Sequence, residues 1–204
     1  MKTKLDSTPM LDLRLLANAP HRLLFFIGAS NVLLAMAWWS LWLIDAHWQL
    51  FGLKQPSMPA GWMHAILMQY SVLPPFIFGF LLTVFPRWLN LPALTKWHYL
   101  PIGLGLLGGQ LVLLIGLFGY PHLVLIGLFQ ITAGWVAGLI TLFSVYRKTK
   151  QTTWHAISML AALSFGLAGL ILILLSSGSG NTTIMLAAIK IGTFALLLPI
   201  YFTV

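Results

Sequence analysis

The chain has 204 residues, of which 59% are hydrophobic and only 7% charged, and its mean hydropathy is +0.93; a soluble domain with that balance would expose a vast apolar surface, so the bilayer is its solvent. A formal net charge of +8 would point to nucleic acid in a soluble protein, but the basic residues sit in short segments between apolar runs, which assigns them to orientation and leaves no nucleic-acid partner. The absence of cysteine excludes disulfides, thiolate metal sites, Cys nucleophiles and thiolate-ligated haem.

Residues 1–22 are polar and read as a cytoplasmic N-terminal tail. The apolar run behind them exceeds the roughly 7 to 15 residues of a signal-peptide core, so it is retained as the first span. Six runs reach the roughly 20 apolar residues that cross about 30 Å of hydrocarbon: 23–44, 62–85, 98–118, 121–145, 154–175 and 184–204. Backbone groups in lipid must be paired internally, and uninterrupted runs of this length are not barrel strands. The fold class is therefore all-α, a polytopic membrane bundle of six transmembrane helices over 23–204.

The first span carries Asn31, a candidate for interhelical hydrogen bonding, and ends among Trp38, Trp39, Trp42, His47 and Trp48, read as an aromatic belt. The second opens on Trp62 and His64 and holds Gln69, Tyr70, Ser71 and the pair Pro74-Pro75 near its middle. The prolines remove two backbone donors and free the carbonyls of Tyr70 and Ser71, which predicts a kink. Lipid tolerates such a break only where neighbouring helices, side chains or water re-pair the freed groups, so Gln69, Tyr70 and Ser71 are expected to face protein or a water-lined cavity. Arg87-Trp88 anchors the far end of this span.

The third and fourth spans carry Gly105-xxx-Gly109 and Gly134-xxx-Gly138, and Gly119-Tyr120-Pro121 joins them; small residues at this spacing and so short a loop suit a close antiparallel pair. Gln110 and Gln130 are further interhelical candidates. The fifth span opens on Trp154-His155, and in the sixth Lys190 is near enough to the outer interface to snorkel. The chain ends on LLLPIYFTV with no polar residue behind it, which reads as truncation at the C-terminus. Nine Lys and Arg fall in the tail (Lys2, Lys4, Arg14, Arg22) and two loops (Arg87, Lys96; Arg147, Lys148, Lys150), against Lys54 alone on the other side. By the positive-inside rule the N-terminus is cytoplasmic, with Trp88, Trp97, Tyr99, Tyr146 and Trp154 as the inner belt.

The three acids, Asp6, Asp12 and Asp45, lie outside the predicted spans, leaving no carboxylate pair for acid–base catalysis or a buried proton relay. Six histidines remain. His47, His64 and His122 fall on the outer side and His21, His98 and His155 on the inner side. Each alone reads as an interfacial histidine, but in a chain without cysteine imidazole is the available ligand for haem iron or copper. His64 and His122 open the second and fourth spans at similar depth and form the preferred pair, with His47 a third candidate; the inner Trp97-His98 and Trp154-His155 compete with them. Met68 follows His64 by four residues, with Met58 and Met63 nearby, which sketches a soft His/Met site for Cu(I).

Ala19-Pro20-His21-Arg22 before the first span, Trp62 with His64, and above all Gly79-Phe80-Leu81-Leu82-Thr83-Val84-Phe85-Pro86-Arg87-Trp88 resemble the NnrS family, the last stretch being similar to its GFLLT-x-x-P-x-W block. These motifs cover the first third of the chain. The resemblance implies a bacterial inner-membrane protein containing haem and copper and serving nitric oxide metabolism or resistance to nitrosative stress. Where the family often has His-x-His-Glu, this chain has His64-Ala65-Ile66-Leu67; the family also continues past its sixth span, so the chain reads as an N-terminal half that pairs with the missing half or with a second copy. Nitric oxide or another small ligand at the metal is the partner expected besides the lipid. The rival reading is a transporter or channel-like subunit with its substrate cavity at the broken second helix; a third is an inactive fragment.

Overall fold

A computed structural model describes residues 13–53, 56, 58–149 and 153–203. A 3-10 turn at Leu13–Asn18 leads into six helices among these residues: α1 (Pro20–Trp48), α2 (Ala60–Trp88), α3 (Lys96–Gly116), α4 (Pro121–Tyr146), α5 (Trp154–Ser179) and α6 (Thr182–Thr203). All six are long and apolar enough to cross a membrane, and no strand occurs among the described residues. Each predicted span falls on one helix, and most helices run past the apolar limits. Pro20 and Pro121 pre-set the first helical turn of α1 and α4. α1 continues past residue 44 to Trp48, where Gln49 turns left-handed and returns its N–H to the Asp45 carbonyl at 2.7 Å. Lys2, Lys4, Lys54 and Lys150, on which part of the orientation argument rests, lie outside the described residues, as do Asp6, Asp12 and Val204.

Alternate crossing is written in the packing register. Between α1 and α2, Thr83 meets His21, Leu24 and Phe25 pack on Gly79, Asn31 meets Ser71, and Trp39 meets His64, so the two run antiparallel. α1 and α3 run parallel, with Ile27 against Gly103 and Asn31 against Gln110. α2 and α6 are likewise parallel, with Trp62 beside Thr182 and Met185 at their start and Gln69 bonded to Thr193 further along both.

α3 and α4 approach most closely, because glycines on each admit the other's backbone. A Cβ placed on Gly105 would lie 2.6 Å from the Gly134 Cα, and one on Gly109 2.7 Å from the Gly127 carbonyl oxygen. Gly138 has a different role from the one its spacing suggests: the Phe78 ring of α2 fills the space above it, and stands edge-on to Trp135 at 5.5 Å. Trp135 is wholly buried and donates from its indole N–H to the Leu163 carbonyl at 3.0 Å, tying α4 to α5.

Two expectations about the aromatic belt are corrected. Trp38 is only 4% exposed and packs in the core, with Trp39 partly buried between helices. Tyr99 is also buried, donating its hydroxyl to the Ala17 carbonyl at 2.7 Å. The helix faces on which these rings sit decide their burial, which position near a span end does not. Trp48, Trp97 and Trp154 are exposed, as a belt requires.

Candidate functional site

The double proline does not simply bend α2. From Met68 to Val72 the helix widens into a π segment, in which the Leu73 N–H reaches the Met68 carbonyl, and Pro74 and Pro75 begin the next α-helical stretch. There their missing donors and fixed φ suit a helix start. The freed Ser71 carbonyl is re-paired by Asn31 of α1, whose Nδ2 donates to it at 2.9 Å. Ser71 Oγ in turn donates to Gln110 Oε1 at 2.5 Å, and Gln110 Nε2 donates to the Asn31 carbonyl at 2.7 Å. This ring of three polar residues locks α1, α2 and α3 at the centre of the bundle. Gln130, by contrast, is exposed on α4.

α6 carries a second π segment, Gly192–Leu197, directly against the first. Gln69 Nε2 donates to Thr193 Oγ1 at 2.7 Å, and the Tyr70 hydroxyl donates to the Ala188 carbonyl at 2.5 Å. Gly192 leaves room for the Gln69 amide, and Gly169 of α5 for the Tyr70 ring and hydroxyl. Gln69, Tyr70 and Ser71 are 8%, 1% and 1% exposed: they face protein, and packing closes the break around them. Among the described residues the hydrogen bonds of this joint link amides, hydroxyls and backbone carbonyls, which re-pair the groups that the break frees.

Four residues before the π segment, the His64 ring stacks on Trp39 of α1 with centroids 4.6 Å apart and planes 17° from parallel. Trp39 is itself stacked on Trp42, at 5.5 Å and 6°. His64 Nδ1 is buried and has no hydrogen-bond partner among the described residues. The stack on Trp39 fixes the plane of the imidazole, while one of its nitrogens is left without the bond that burial ordinarily demands.

The other histidines are dispersed. His47 is exposed, with its ring edge-on to Trp48; His122 is exposed beside Tyr120. The first part of α2, with His64, packs against α1 and α6, whereas α4, which His122 opens, packs chiefly on α3. At the other end of the bundle His21 Nδ1 lies 3.4 Å from Thr83 Oγ1, inside the Gly79–Trp88 block, and His98 Nδ1 lies 2.8 Å from Thr95 Oγ1. No group of three or more His, Cys, Asp or Glu gathers among the described residues.

Sequence reasoning missed two contributors. Trp39 was assigned to the belt, although its spacing to Trp42 already put the two rings on one helix face. Asp45 holds the loop after α1 by accepting from the backbone N–H groups of Phe51, Gly52 and Leu53, at 2.5, 3.1 and 2.6 Å; an acid closing a span and followed by Gly52 was the signal for it.

The family model described as NnrS protein matches residues 15–204, well beyond the first third that carries the quoted motifs. No curated protein and no solved structure matches the chain.

Proposed function

Because this chain belongs to the NnrS family, we propose that it serves nitric oxide metabolism or resistance to nitrosative stress from the bacterial inner membrane, N-terminus in the cytoplasm, and that it holds copper or haem through His64. One observation carries the ligand assignment: His64 Nδ1 is buried without a partner while Trp39 fixes the ring. An unpaired buried polar atom costs about 1–3 kcal/mol, and bonding a metal is one way to recover that cost. His64 fits a single ligand position. His47 and His122 are exposed, and Met68, four residues along the same helix, is a soft donor on the same face.

Either metal, when bound, supplies a centre that takes nitric oxide as a ligand. The chain's own contribution is to orient the imidazole against Trp39 and to keep its Nδ1 buried. The test is the absorption spectrum and metal content of the purified protein in detergent. A Soret band or stoichiometric copper supports the reading; the absence of both overturns it.

A further inference from the structure

At the end of the bundle where α2 and α6 finish and α5 begins, Phe80, Trp88, Thr153, His155 and Thr203 line a cavity of about 470 Å³. Thr153 occupies the N-cap position of α5, yet its hydroxyl makes no capping bond; Thr153 Oγ1 is buried and unpartnered among the described residues. Thr203 is committed elsewhere, donating to the Pro199 carbonyl at 2.6 Å and lying 3.0 Å from Ser158 Oγ. Phe80 and Trp88 stand at 79° to each other, 6.2 Å apart. Phe80 also lines a second cavity of about 290 Å³, whose other walls are Phe25, Phe76, Ile77, Leu81, Met159 and Ile200.

We propose that these two cavities bind one amphiphile, a membrane quinone: its ring in the first cavity, hydrogen-bonded by Thr153 and His155, and its isoprenoid tail in the second. The lining selects the headgroup. It offers a hydroxyl and an imidazole to carbonyl oxygens, and aromatic walls to a flat ring. Among the described residues no Lys or Arg lines it, so a phosphate head would lose its hydration there without a compensating charge. The second cavity has only apolar walls and rewards a hydrocarbon tail by burial. This site is independent of His64 and of any metal there.

The experiment titrates decylubiquinone into the full chain in nanodiscs by calorimetry, with empty nanodiscs as the blank. Saturable binding is expected, weakened about tenfold in Thr153→Val and again in His155→Phe, as the loss of one hydrogen bond each implies, and unchanged in His98→Phe at the same end of the bundle. No binding above the blank, or wild-type affinity in both variants, overturns the proposal. Native mass spectrometry of the wild-type protein checks it without a variant: a retained quinone supports the site, and a retained phospholipid with no quinone overturns it.

Discussion

Gln69 of α2 donates its amide N–H to the hydroxyl of Thr193 on α6 at 2.7 Å, and both residues lie inside π segments. Two irregular turns therefore face each other, each accommodated by the other's shape, and Gly192 is the position that lets them close. A Cβ there would collide with the Gln69 amide oxygen. Gly192→Ala should lower stability by about 1–3 kcal/mol, the usual cost of overpacking. Because the closest collision is with Gln69, the Tyr70 hydroxyl being second at 2.9 Å, part of that loss should vanish in a Gln69→Ala background, giving coupling of about 0.5–3 kcal/mol in a double-mutant cycle. Thermal unfolding in detergent measures it; additive losses would contradict the interlock.

The Asn31–Ser71 contact makes a ranked prediction. Asn31→Ala strips the partner from a carbonyl that Pro75 has already freed, in the middle of the bundle, and should cost about 1–3 kcal/mol. Ser71→Ala removes only the side-chain bond to Gln110, and interhelical bonds of that kind average about 0.6 kcal/mol. Unfolding midpoints should fall in the order wild type, Ser71→Ala, Asn31→Ala. The reverse order would mean that the Ser71 carbonyl is paired some other way.

Glycines three residues apart on α3 should respond oppositely. A Cβ on Gly105 meets the Gly134 backbone, whereas one on Gly108 has only the Gln130 amide oxygen, at 4.0 Å. Gly105→Ala should force the helices apart and cost about 1–3 kcal/mol, while Gly108→Ala should be neutral or stabilising by up to about 1 kcal/mol through helix propensity. Equal effects would show that glycine frequency, and not helix approach, governs this pair.

These contacts show where sequence reading stops. Run length alone places all six helices, since the membrane requires about 20 apolar residues per crossing. The break in α2 is also legible, because Pro74-Pro75 removes named donors. Its form is not: whether a turn widens to π or bends depends on the partner helix, and α6 bears the matching distortion with only Gly192 to mark it. The same limit applies to the histidines. Depth is readable from the start of a span, which groups His64 with His122. The face each side chain occupies is set by packing, which stacks His64 on Trp39 and leaves His122 beside Tyr120.

The most direct test of the account is the metal content and absorption spectrum of His64→Ala beside those of the wild type, His47→Ala and His122→Ala, each confirmed folded by gel filtration. The account predicts that His64→Ala alone loses the Soret band or the bound copper, since the unpaired buried nitrogen belongs to His64 while the other two rings are exposed. Full retention of the metal in His64→Ala would contradict it.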